Sequence, residues 1–321
     1  MLPWISLRPS PHYTIGLRLG GCRRGCDAGY NAADMGFFAS INGQIVPAEE
    51  ARVSVLDNGF TFGDSVYETL RTYGGRPFAL DRHLRRLRAS AARIAVEIPE
   101  PDALLAERLG ALLARAKNPE SYIRMIVSRG VGDISYHFDR VHGPTIVFVV
   151  KPYEPLSPRD QAEGVAVAVV SVRRNHKDAL DPAIKSCNLL NNILAVREAQ
   201  AAGAVEAIML NAAGDVAEGA SSNVFVVRQG VVLTPPLDAG ILAGITREIV
   251  LEMLPSLSLE GREATLSLDA LLTADEAFVT STLKEAAAVR SIDGRSLGAV
   301  CPGPVTRRIQ SAFRERAPSY C

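Results

Sequence analysis

Beyond residue 165 the chain is cut into short apolar runs separated by glycine-containing turns. Residues 165–172, 206–210, 223–227, 231–233 and 276–280 each read as a strand, because none is long enough to form a helix of ordinary length. Asp293-Gly294 marks a further hairpin. Helical spacing interrupts this pattern at three places: from Asn188 or a neighbour to about 202, over 246–254, and in a basic segment near the C-terminus. Many short strands of this kind close into barrel-like sheets with helices packed outside.

The preceding part is patterned differently. Alternation around Asn42-Gly43 predicts a hairpin, and residues 66–73 predict a strand that Gly74-Gly75 turns back through residues 77–80. Asp81 can cap a helix that carries Leu84, Leu87 and Ile94 on one face. Residues 102–117 read as a second amphipathic helix, and 122–128 and 145–150 as strands. Residues 151–163 are rich in proline and charge, which suits a connection between domains. The division expected is a small α+β domain over 35–153, a linker over 154–164 and a larger domain over 165–321. The chain of 321 residues, 47% apolar, is long enough for two such cores.

Lys+Arg and Asp+Glu stand at 35 each, so no charge surplus points to nucleic acid or a membrane surface. No apolar run approaches the ~20 residues that span a bilayer. Cys22, Cys26, Cys187, Cys301 and Cys321 are irregularly spaced, and Cys22 and Cys26 lack the second pair a zinc site requires. Free thiols in a reducing, cytoplasmic compartment are expected. Residues 1–34 are arginine-rich with no acid before Asp27; a transit peptide, an upstream start and a disordered tail all fit that composition.

Only five lysines occur: Lys117, Lys151, Lys177, Lys185 and Lys284. Four lie at helix or strand ends or among charges, as surface lysines do. Lys185 follows Pro182-Ala183-Ile184 and precedes an apolar helix, a setting in which an amine can lose its proton and attack an aldehyde. Gly244-Ile245-Thr246 opens a helix and offers free N–H groups and a hydroxyl to a phosphate. Thr280-Ser281-Thr282 ends a strand with more hydroxyls. Glu218, ahead of an apolar strand, could keep a pyridine nitrogen protonated. Each of these alone is more often a loop, a cap or a surface charge.

Taken in order, the segments resemble class IV aminotransferases, the fold-type IV pyridoxal-phosphate enzymes. The resemblance rests on Ile184-Lys185-Ser186-Cys187-Asn188-Leu189-Leu190, on Glu218-Gly219 with Asn223-Val224-Phe225, on Leu242 to Arg247, and on Thr280 to Glu285. In the first domain it rests on Phe62 to Glu68 and His83 to Leu87. It implies an α+β fold of two domains that binds pyridoxal 5'-phosphate. Lys185 would be the Schiff-base lysine and proton shuttle, and Glu218 the partner of the pyridine nitrogen. Arg86 would hold the phosphate, helped by Ser221, Ile245, Thr246, Ser281 and Thr282, with Leu242 against the ring. A homodimer or larger even oligomer is implied as well.

Within the family, Tyr67-Glu68-Thr69-Leu70-Arg71 and Tyr122-Ile123-Arg124 look like branched-chain patterns, making Tyr67, Arg71, Tyr122 and Arg124 the expected substrate residues. The Arg-x-His of D-amino acid enzymes is missing after Ser128-Arg129-Gly130. Against this, Leu189 and Leu190 are closer to the D-type version, and Thr69 replaces a frequent glycine. The expected reaction is transamination between an L-branched-chain amino acid and 2-oxoglutarate. D-amino acid transamination is the second reading, and β-elimination by an aminodeoxychorismate lyase the third. A scaffold that kept the fold without its chemistry would not need Lys185 and Glu218 intact.

Overall fold

Asn42 and Gly43 both adopt the left-handed backbone (φ 49° and 89°) that a two-residue hairpin turn needs. They join β1 (Phe38–Ile41) to β2 (Gln44–Pro47). The structure, a computed structural model, describes residues 36–321; the expectations for residues 1–34, with Cys22 and Cys26, lie outside them. A short helix α1 (Asn58–Phe62) is followed by β3 (Ser65–Tyr73), β4 (Arg76–Pro77), α2 (Leu80–Arg93), α3 (Asp102–Ala116), β5 (Ser121–Ser128) and β6 (Thr145–Pro152). The six strands form one sheet in the order β2-β1-β6-β5-β3-β4. Alternation works as expected: Val66 and Leu70 of β3 and Ile123, Met125 and Val127 of β5 bury against Leu84 and Leu87 of α2 and Leu105, Leu109 and Leu112 of α3. One expectation fails locally. Asp81 does not cap α2; the cap residue is Ala79, and Asp81 sits inside the first turn, where its charge meets the positive end of the helix.

Residues 151–163 are less irregular than their prolines suggest. β6 runs to Pro152, and α4 (Pro158–Glu163) starts on a Ser157 side chain that accepts from the Asp160 N–H. Then come β7 (Val165–Val169), α5 (Leu190–Ala201), β8 (Glu206–Leu210), β9 (Val216–Gly219), β10 (Asn223–Arg228), β11 (Val231–Thr234), α6 (Ile245–Met253), β12 (Gly261–Glu263), α7 (Leu268–Leu272), β13 (Glu276–Ser281), β14 (Glu285–Ile292), β15 (Arg295–Ser296) and α8 (Pro304–Arg316). β7 stops short of residue 172 because Ser171 turns aside to bond Glu198 through its N–H and hydroxyl. β9 is absent from the sequence reading, and of β14 the reading gives only the Asp293-Gly294 hairpin that joins it to β15. The first is four residues long around a glutamate, and the second is built on three alanines, which favour strands weakly.

The second sheet runs β12-β11-β10-β13-β14-β7-β8-β9, with β15 beside β14. Five strand spacings separate β9 from β10, about 24 Å in a flat sheet. Yet only residues 220–222 connect them, a link that spans at most about 14 Å. The sheet must therefore curl, and the Gly219 N–H closes the link on the Ser222 carbonyl (2.7 Å). This is the barrel-like form the short strands predict. Among the described residues no helix is long and apolar enough to cross a membrane.

Candidate active site

β4 covers only the far end of β3, pairing Thr72 with Pro77 and Tyr73 with Arg76. The near edge of β3 is taken instead by the segment that carries Lys185. The Tyr67 N–H donates to the Lys185 carbonyl (2.9 Å), and the Cys187 N–H donates to the Ser65 carbonyl (2.8 Å). Lys185 is thus pinned at its backbone while its side chain enters a cavity of about 430 Å³ lined by both sheets. Its Nζ lies 4.5 Å from the centre of the Tyr67 ring. Burial, reinforced by the Arg86 charge, lowers the amine to about 8.

Behind the cavity, three carboxylates each hold a cation that faces inward. Glu68, fully buried on β3, accepts from Arg86 Nε and Nη2 (both 2.7 Å) and lies 2.7 Å from His83 Nδ1. Burial alone would raise Glu68, but Arg86 and His83 hold it well below the usual carboxylate range. His83 in turn reaches Thr282 Oγ1 (3.4 Å), and Arg86 Nη1 donates to the Ala243 carbonyl (2.8 Å). Glu218, on β9, accepts from Arg174 Nε (2.7 Å), the Leu242 N–H (3.0 Å) and Asn223 Nδ2 (3.3 Å). Burial pushes the Glu218 carboxyl up despite Arg174. Glu206, on β8, accepts from Lys284 Nζ (2.7 Å), Ser221 Oγ (2.7 Å) and Ser222 Oγ (3.0 Å).

Of the expected site residues, Lys185, Arg86, Glu218, Ser221, Leu242, Ile245, Thr246, Ser281, Thr282, Tyr67, Tyr122 and Arg124 all line this cavity. Arg71 does not. It shares a face of β3 with Tyr67, but four residues along a strand is about 13 Å, and there Glu285 takes it in an ion pair (3.2 Å). Tyr73 and Tyr153 lie against its guanidinium at 4.2 and 3.8 Å. Ser221 lines the cavity, but its hydroxyl donates to Glu206 and accepts from Lys284 (2.6 Å).

The sequence reading gave no role to Arg174, Glu206 or Lys284, and none to Glu68 or His83 beyond their place in a motif. Arg174 stands in a run of charges that resembles surface, and Lys284 beside Glu285 suggests a local pair. No periodicity reports that either reaches across the fold to a buried acid.

Residues 65–292 match the family model described as amino-transferase class IV. The chain is a class IV aminotransferase. It is 38% identical over 275 residues to the "Putative branched-chain-amino-acid aminotransferase" of Methanocaldococcus jannaschii, covering 86% of this chain and 94% of that one. To the D-alanine aminotransferase of Bacillus licheniformis it is 36% identical, covering 85% and 95%. Among solved structures, the branched-chain aminotransferase of Thermoproteus uzoniensis with norvaline superposes with a TM-score of 0.81 at 34% identity, covering 88% and 95%.

Pyridoxal 5'-phosphate is the cofactor of this aminotransferase, and its α+β architecture is that of fold-type IV. The residues present fit that group. Thr246 Oγ1 and Thr280 Oγ1 are buried without a hydrogen-bond partner, each bordering the cavity. Thr246 lies in the first turn of α6, whose cap residue Gly244 offers its amides no side chain. Arg86 keeps N–H groups beyond those Glu68 and Ala243 take. Glu218 Oε1 accepts only one bond and retains a lone pair for a ring N–H. A dianion at α6 and a protonated pyridine at Glu218 would satisfy donors and acceptors that otherwise lack partners.

Proposed function

We propose that this aminotransferase moves the amino group between an L-branched-chain amino acid and 2-oxoglutarate, in two half-reactions at one site. One observation carries the reading. Of the arginines lining the cavity, Arg86 and Arg174 are neutralised by Glu68 and Glu218, while Arg124 has no carboxylate partner among the described residues. It stacks on Tyr67 (4.0 Å) and is free to meet a substrate carboxylate. Around it Tyr67, Tyr122, Leu156 and Leu283 supply apolar walls.

The bound cofactor supplies the electron sink for the bond broken at the substrate's α-carbon. Lys185, with its lowered proton affinity, takes that proton and returns it. Glu218, held by Arg174, keeps the carboxylate in place for the ring nitrogen, and Arg86 with the start of α6 anchors the phosphate end. Tyr67, pushed up to about 12 by burial, stays protonated and can donate its hydroxyl.

Assays with L-leucine, L-valine, L-isoleucine, D-alanine, D-glutamate and aminodeoxychorismate should give the highest kcat/KM for an L-branched-chain donor with 2-oxoglutarate. A D-amino acid exceeding all three would move the enzyme to the D-branch, and pyruvate release from aminodeoxychorismate would make it a lyase. We further propose a homodimer or larger even oligomer. Phe60, Ile134, Tyr136 and Phe138 are 73%, 71%, 85% and 63% exposed, and Tyr136 packs on Phe62 (5.1 Å), two residues along from Phe60; exposed apolar side chains of this size suit cover by a second copy. The free thiols Cys187, Cys301 and Cys321 fit a reducing, cytoplasmic setting.

A further inference from the structure

The cations that line the cavity are Arg86, Arg124, Arg174, Lys185 and Lys284, and the proposed reaction employs all but the last. Arg86 anchors the phosphate, Arg174 holds Glu218, Lys185 moves the proton and Arg124 meets a substrate carboxylate. Lys284 is left over, and so is one group of the substrate. 2-Oxoglutarate carries a second carboxylate where a branched-chain acid ends in methyl groups.

The backbone around Lys284 is fixed. Its N–H donates to Ser281 Oγ (3.1 Å), and the Leu283 carbonyl accepts from the Tyr153 hydroxyl (2.6 Å). On the other side Glu285 accepts from Arg71 (3.2 Å), Tyr73 (2.8 Å) and Arg314 (2.9 Å). From this turn Nζ reaches Glu206 Oε2 (2.7 Å) and Ser221 Oγ (2.6 Å). Glu206 is 0% exposed, whereas the Lys284 side chain is 16% exposed and its contact with Ser221 lies on the open side. An ammonium has three N–H donors, and Glu206 and Ser221 take two. Glu206 does not depend on Lys284 alone, because the same oxygen accepts from the Ser221 and Ser222 hydroxyls and Oε1 accepts from the Ala207 N–H (3.1 Å). A carboxylate arriving at Nζ thus finds a free donor, and can draw the ammonium forward without stripping the buried acid of its bonds.

We infer that Lys284 recognises the distal carboxylate of a dicarboxylate substrate, with Arg124 holding the carboxylate that every substrate carries. The inference rests on the proposed reading that 2-oxoglutarate is the amino acceptor. An apolar side chain asks nothing of Lys284, which stays paired with Glu206 and Ser221. A dicarboxylate gains a charge-assisted bond. One cavity thus serves both half-reactions without rebuilding its wall.

The test compares two acceptors of equal length that differ only at the far end, 2-oxoglutarate and 2-oxopentanoate, on the pyridoxal-phosphate-loaded enzyme with its best amino donor. The wild type should prefer 2-oxoglutarate. In Lys284→Met the ratio of the two kcat/KM values should fall about tenfold or more, as loss of a charge-assisted contact does. Because that change leaves Glu206 without its cation, Lys284→Met/Glu206→Gln is measured beside it, and retained cofactor absorbance identifies the folded protein. Glutarate and pentanoate, titrated into the same proteins by absorbance, should show the same loss of discrimination without turnover. A preference that persists in the folded variants overturns the inference alone. So does a preference lost in Arg124→Met but kept in Lys284→Met, which would put the distal carboxylate at Arg124. A wild type that uses both acceptors equally removes the 2-oxoglutarate reading, and the inference with it.

Discussion

Lys185 and Arg86 show how much burial changes what a basic side chain does. Folding lowers Lys185 to about 8, so in the cofactor-free protein the unfolded chain holds a proton that the folded one has released. Between about pH 8 and the ordinary lysine range, stability therefore rises with pH; below it the cost of the buried ammonium is fully felt. Lys185→Met should flatten that slope in Tm measured against pH, and a slope left intact would place the proton elsewhere. In the loaded enzyme Lys185→Ala should remove the visible absorbance and the turnover together. Arg86→Ala should weaken cofactor binding at least tenfold, through loss of a charge-assisted contact worth roughly 1.5–3 kcal/mol. It also leaves Glu68 buried without its ion partner, at a cost of roughly 3–5 kcal/mol. Thermal melting of the cofactor-free variant, compared with Glu68→Gln/Arg86→Met, should separate the two effects.

At the level of elements, the start of α6 depends on a missing side chain. A Cβ on Gly244 would stand 1.8 Å from Asn223 Oδ1, and Asn223 also bonds Glu218 and the Leu242 carbonyl. Gly244→Ala should push Asn223 away, loosening the phosphate end and the pyridine end at once. Cofactor affinity by absorbance titration should drop severalfold with little change in far-UV circular dichroism, and unaltered binding would refute the coupling. Signals of this element were legible: a glycine, then a threonine, then an amphipathic run announced the helix and its open amides. The hairpin at Asn42-Gly43, β3 and α3 were legible for the same reason, since each is dictated by neighbours in sequence. β9 and the body of β14 were not, because they are strands only through their partners; only the Asp293-Gly294 turn at the end of β14 showed. The ion pairs behind the cavity were hidden for a related reason: Glu218 was legible, but its Arg174 lies 44 residues away, and Glu206 meets Lys284 from 78 residues away. Arg71 was misplaced because alternation gives the face of a strand and not the position along it.

Over the whole molecule, the exposed rings of Phe60 and Tyr136 should be covered in solution. Light scattering should report an even oligomer, and Phe60→Asp with Tyr136→Asp should yield a monomer of much lower activity; a wild-type monomer with full turnover would refute the assembly. The order of the second sheet has another consequence, for synthesis of the chain. β7 pairs in parallel with β14, Val165 opposite Val289, and β14 alone joins β13 to β7. A nascent chain that has made β7, β8 and β9 must hold the β7 edge open until residues 220–284 have been translated and β14 follows. Lys185 and Glu218 are made early, whereas Thr282 and the turn beside it emerge just before the closing strand. The cofactor site is thus completed only once β14 is made, and a ribosome that stalls ahead of residue 285 would release a chain with two bare, apolar strand edges, prone to aggregate.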